Sequence, residues 1–249
     1  MVVGYENFKH WFAGYEDQFV IIGGTACDIL MSEDDRTFRA TKDIDIVLLI
    51  ETLTADFGKR FWDYVQEGAF QHRNKSNGAP QFYRFTNPGK PGFPLMIELF
   101  SRRTDVIALP ADAVLTPLPL DDEISSLSAI LMDDVYYQFL LAGRIVIDGT
   151  PILDAEHLIP FKARAWLDLS ARKAIGESVD SKNIRKHKND IFRLLTVTQS
   201  KVLTLPESMK QDLDHFIAAM REERPSLRDI GIAHVTLDDM LENLATMYV

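Results

Sequence analysis

Phe8, Trp11, Phe12 and Tyr15 recur at intervals of three and four residues in YENFKHWFAGY, so Tyr5 to Tyr15 is expected to form an amphipathic helix. Phe19 to Ile22 is a short apolar run closed by Gly23-Gly24, the pattern of a strand running into a tight turn. Thr25 to about Asp35 then reads as helix and Asp43 to Ile50 as a buried strand. A further helix is expected over Phe57 to Phe70, and strands over Gln81 to Phe85 and Leu95 to Phe100, on either side of an NPGKPG turn. Ile124 to Leu153 has a mixed pattern, expected to hold further short strands.

From Leu158 onward helical periodicity dominates. Helices are expected over about Pro160 to Ala174, Lys182 to Thr196, Glu207 to Glu223 and Leu237 to Tyr248, with Pro206, Pro225 and Gly231 as punctuation. The expected class is α+β: a mixed sheet with flanking helices at residues 1–155, then an all-helical C-terminal domain at residues 156–249.

Composition narrows the picture. A chain of 249 residues, 46% hydrophobic and 26% charged, can build one large core or two modest ones, which sets aside disorder as the default. Met1 to Val20 carries Glu6, Lys9, His10, Glu16 and Asp17 and so lacks the apolar core of a signal peptide. The run Ile46 to Ile50 is far short of the ~20 apolar residues that span a bilayer. The single cysteine, Cys27, cannot form an intramolecular disulfide. A cytoplasmic protein without a membrane partner is the expectation.

Net charge is −10, which argues against a general nucleic-acid coat. Between Lys162 and Lys201, however, ten Lys/Arg stand against four Asp/Glu, so one region can meet a polyanion.

The chemistry concentrates at Asp43 and Asp45, at the mouth of the most hydrophobic run in the chain. In a strand both would project from one face, and two adjacent carboxylates repel unless a cation lies between them or one is protonated. Hard oxygen donors suit Mg²⁺ better than Zn²⁺, and Glu98 in PLMIELF offers a third acid for a site holding two ions. Gly23-Gly24 before a helix offers backbone N–H groups to phosphate, and Thr25 adds a hydroxyl. Each feature alone has a structural alternative: a solvated strand edge, a common turn, a buried ion pair at Glu98.

Ile22-Gly23-Gly24-Thr25, Asp43-Ile44-Asp45 and the later Glu98, in that order, resemble the DNA-polymerase-β-type nucleotidyltransferase superfamily. Within it, GGTACDIL, RATKDIDIVL and the helical C-terminal half are similar to the AbiEii/AbiGii nucleotidyl transferase toxin family. The resemblance implies a polymerase-β-like mixed sheet and Mg²⁺-dependent transfer of a nucleoside monophosphate from an NTP to an acceptor hydroxyl. It implies catalytic and metal-holding roles for Asp43, Asp45 and Glu98, with two Mg²⁺ ions, and a phosphate cradle at Gly23, Gly24 and Thr25. It implies nucleotide-binding roles for Lys162 in PFKARAWLDL, neutralising pyrophosphate, and for Asp190 in RKHKNDIFRLL. Their structural alternatives are a solvated lysine and a salt bridge from Asp190 to Arg193 or Lys186. The implied setting is a bacterial toxin–antitoxin or abortive-infection system, with RNA, tRNA or protein as acceptor and an antitoxin as partner. A small-molecule nucleotidyltransferase of the antibiotic-modifying type and an inactive nucleotide-binding module are the alternatives.

Overall fold

The computed structural model describes residues 2–71, 84–101, 133–199 and 201–249; the fold is α+β, divided into two compact units. The first holds the described residues up to 101 together with Arg144–Asp154; the second holds residues 133–143 and Ala155–Val249. The chain thus passes for the last time from the first unit to the second between Asp154 and Ala155.

The first unit is built on a six-stranded mixed sheet: β1 (Phe19–Ile22), β2 (Asp43–Leu48), β3 (Arg84–Thr86), β4 (Met96–Phe100), β5 (Arg144–Ile147) and β6 (Thr150–Leu153), ordered β3-β4-β2-β1-β6-β5. β2 runs parallel to β4, and β1 parallel to β6; the β1–β2, β3–β4 and β5–β6 pairs are antiparallel. Strand alternation divides the side chains cleanly. Phe19 and Ile21, Ile44, Ile46 and Leu48, Ile97 and Leu99, and Phe85 fall in register on one face.

That face is covered by helices α1 (Tyr5–Trp11) and α3 (Ala55–Glu67), whose aromatic residues seal it. Phe8 meets Phe19 edge to face at 5.9 Å between ring centroids, and Phe61 meets Phe85 at 5.3 Å. Phe12, Phe57 and Tyr64 fill the space between, all buried, each such ring contributing ~2 kcal/mol of apolar burial. α3 starts at Thr54, whose hydroxyl accepts from the Phe57 amide and whose own amide donates to Gln18 Oε1. α1 is shorter than the periodicity predicts, because the Phe12 amide closes it onto Phe8 and the chain then turns toward β1.

Helix α2 (Gly23–Glu33) follows β1 without any intervening loop. The turn expected at Gly23-Gly24 is the first turn of the helix itself. Gly23 makes this possible with φ +68°, a left-handed conformation that side-chain-bearing residues rarely adopt.

The second unit is helical: α4 (Asp134–Ala142), α5 (Ala155–Ala174), α6 (Ser181–Leu194), α7 (Glu207–Glu223), a 3₁₀ turn (Arg228–Ile230) and α8 (Leu237–Met247). Trp166 packs edge to face on Phe216 at 5.4 Å, and Phe192 lies 6.3 Å from the same ring, which joins α5, α6 and α7. Asp212 of α7 accepts from Tyr136 of α4 and Arg164 of α5, each at 2.8 Å.

Two segments depart from the sequence pattern. α5 begins at Ala155 and carries Pro160 inside it. Proline has no N–H to offer the carbonyl four residues earlier, and the Tyr248 hydroxyl donates to that Glu156 carbonyl instead. The mixed stretch before Leu153 holds helix α4 as well as the β5–β6 hairpin, and α4 belongs to the helical unit, not to the sheet. Residues 124–132 of that stretch, and 81–83 of the expected strand Gln81 to Phe85, lie outside the described residues.

Candidate functional site

The sheet face opposite the aromatic helices carries a single rung of chemistry. Arg84 on β3, Glu98 on β4, Asp45 on β2 and Ile22 at the end of β1 are successive cross-strand partners. Partners in register project from the same face, so the two acids and the arginine stand side by side. Asp43 lies two residues from Asp45 on that face of β2.

Glu98 and Asp45 share a side-chain hydrogen bond, and Arg84 Nε donates to Glu98 Oε1 at 2.8 Å. Glu98 is only 8% exposed. Burial, and after it the neighbouring Asp45 charge, push its carboxyl well above the usual carboxylate range, while Arg84 pulls in the other direction. The ion-pair alternative for Glu98 is therefore present as well, through a partner that sequence reasoning missed. Alternation around Phe85 puts Arg84 on the polar face, but only the β3–β4 register places it opposite Glu98.

The start of α2 presses against this rung. A methyl group at Gly23 would fall 1.8 Å from Asp45 Oδ2, so the carboxylate occupies the space that a side chain would fill. A methyl at Gly24 would fall 2.6 Å from Thr41 Oγ1 and 3.4 Å from an Arg39 guanidinium nitrogen. The two glycines thus bring the first turn of α2, with the Arg39 and Thr41 side chains, to the end of β2 where the acids stand. Thr25 is fully buried, and its hydroxyl donates to the Asp43 backbone carbonyl at 2.6 Å, tying α2 to the first residue of β2.

Among the described residues, no group of three or more His, Cys, Asp or Glu side chains is placed to hold a metal ion. Asp43, Asp45 and Glu98 are thus not gathered into one three-carboxylate cluster, although Asp45 and Glu98 are adjacent. The adjacent pair fits a divalent cation in donor chemistry: two hard oxygen groups whose mutual repulsion a cation relieves.

Lys162 and Asp190 meet in the helical unit. Lys162 Nζ, with its side chain 5% exposed, donates to Asp190 Oδ2 at 3.0 Å, and Asp190 is fully buried. Arg193, one turn further along α6, stands 3.6 Å from the other Asp190 oxygen. Lys162 is therefore not the solvated lysine of the bland alternative, while the Asp190 to Arg193 salt bridge is present. The basic run Arg185 to Lys188 lies on α6, where Lys188 pairs with Glu223 of α7. No described helix is long and apolar enough to cross a membrane. No protein-family model and no characterised protein matches the chain in sequence.

Proposed function

We propose that the first unit is a polymerase-β-like nucleotidyltransferase domain that moves a nucleoside monophosphate from an NTP to an acceptor hydroxyl. The observation that carries this reading is the placement of Asp45 and Glu98 as cross-strand neighbours against the glycine start of α2. A carboxylate pair beside backbone N–H groups is what a metal-bound triphosphate needs: anions for the cation, donors for the phosphates.

In the proposed reaction the acceptor oxygen bonds to the α-phosphorus, the bond from that phosphorus to the bridging oxygen breaks, and pyrophosphate leaves with the electron pair. Glu98 in its ionised form, beside the acceptor, takes up the acceptor's proton. The Gly23 and Gly24 backbone and the Arg39 guanidinium receive phosphate oxygens at the start of α2. Thr25 holds that helix to β2 through the Asp43 carbonyl. Mg²⁺, for which Asp45 and Glu98 would be the holding pair, would neutralise the triphosphate and lower the pKa of the attacking hydroxyl. Lys162 and Asp190 enter as a pre-formed pair that braces the helical unit.

Acceptor classes separate by labelling. Each α-³²P NTP is incubated with the protein, Mg²⁺ and total bacterial RNA, a protein extract or small hydroxylated metabolites. Label in RNA or protein supports the toxin-type reading, with an antitoxin as its expected partner. Label confined to small molecules supports an antibiotic-modifying type of enzyme. Asp43→Ala/Asp45→Ala is expected to lower any transfer at least ~10³-fold; undiminished transfer in that variant defeats the proposal. The ion pair between Arg84 and Glu98 favours one second reading, a nucleotide-binding module without turnover. That reading predicts NTP binding by calorimetry and no labelled product.

A further inference from the structure

Glu98 is held between a cation and an anion along one rung: Arg84 on one side, Asp45 on the other. The Arg84 side chain is 22% exposed and that of Glu98 11%, so their contact is shielded from water and salt more than a surface pair would be. Among the named strands β3 is the outermost, with β4 on one side and Gln71 bridging to Thr86 on the other, and Arg84 is its first residue, opposite Glu98. Arginine keeps its charge at every physiological pH, so its charge leaves Glu98 only if the side chain moves.

We infer that Arg84 is an internal competitor for divalent cations at the Asp45–Glu98 pair. Its guanidinium occupies an oxygen that a metal ion would take, and it adds a like charge beside that ion. A cation binds by displacing it, and phosphate oxygens arriving with the cation offer the displaced guanidinium a new partner. Arg84 thereby sets the cation concentration at which the site fills and couples metal entry to nucleotide entry. This inference rests on the metal-holding role proposed for Asp45 and Glu98.

The test titrates the full chain with Mn²⁺ and follows the electron paramagnetic resonance signal of the free ion, with no nucleotide present. Arg84→Gln is expected to bind Mn²⁺ ~10-fold more tightly than the wild type, and Arg84→Lys, which keeps the charge, to stay near it. Equal or weaker binding by Arg84→Gln, while Glu98→Gln abolishes binding, overturns the inference and leaves the metal reading intact. Undiminished binding by both Glu98→Gln and Asp45→Asn, or no binding by any form of the chain at millimolar Mn²⁺, overturns the metal reading and the inference with it. A second measurement needs no folded variant of Arg84 beyond the lysine form used for assignment. In the wild type, the Arg84 Nε–Hε resonance is expected to move on Mg²⁺ saturation, and a resonance that stays in place overturns the displacement.

Discussion

Asp45 and Glu98 are direct cross-strand partners on parallel strands and share a side-chain hydrogen bond, in a sheet whose other face is apolar across β1 to β4. Two carboxyl groups in that relation carry one proton more comfortably than none. The folded chain therefore binds a proton at Glu98 that the unfolded chain releases at its ordinary value near 4.5. Stability from this group is present at low pH and is lost as pH rises from about that value through the raised folded value. In the absence of metal, Glu98→Gln is expected to melt at a higher temperature than the wild type at pH 8, with the gain vanishing near pH 4. Melting curves across that range decide it; a gain that persists unchanged at pH 4 contradicts the account.

Gly23 is required twice over, by its φ of +68° and by the Asp45 oxygen standing where its side chain would be. Gly23→Ala is expected to cost about 2 to 3 kcal/mol in urea denaturation. Combining it with Asp45→Ala removes the nearest oxygen and should recover part of that loss, the backbone strain remaining. Additive costs in the double variant would show that the two residues do not meet.

Lys162 and Asp190 form an ion pair with little solvent on either member. Removing Lys162 leaves the buried Asp190 with only the longer Arg193 contact at 3.6 Å, so Lys162→Met is expected to destabilise the chain by about 3 kcal/mol. Lys162→Met/Asp190→Leu, which removes that pair and leaves Arg193, 18% exposed, to turn to solvent, should restore part of it. If the single variant folds as well as the wild type, the pair is not the brace of the helical unit.

Tyr248 supplies the donor that Pro160 cannot. Tyr248→Phe is expected to cost about 1 to 2 kcal/mol by leaving the Glu156 carbonyl without that donor. In a Pro160→Ala background the helix N–H returns to that carbonyl, and the same substitution should cost distinctly less. A double-mutant cycle with no coupling would reject the compensation.

Much of the architecture is legible in periodicity. The strand Phe19–Ile22, the helix Glu207–Glu223 and the helical character of the chain beyond Leu158 follow from local patterns of apolar residues, which each element must bury on one face. Pro160 misleads because a proline near a helix start is the ordinary signal of a boundary. Here a residue at the far end of the chain repairs the missing hydrogen bond, and no local pattern carries that information. Asp134–Ala142 is apolar nearly throughout, and a short run of that kind is ambiguous between strand and helix until its neighbours are known.

The site divides in the same way. Asp43, Asp45, Glu98 and the two glycines announce themselves by residue type and order, because charge beside a buried strand and glycine before a helix are locally unusual. Alternation alone put Asp43 and Asp45 on one face of their strand. Strand order and register are long-range pairings, set by which sheet buries the most apolar surface. They alone decided that Glu98 stands next to Asp45 rather than beside Asp43, that Arg84 completes the rung, and that Lys162 spends its charge on Asp190 inside the helical unit.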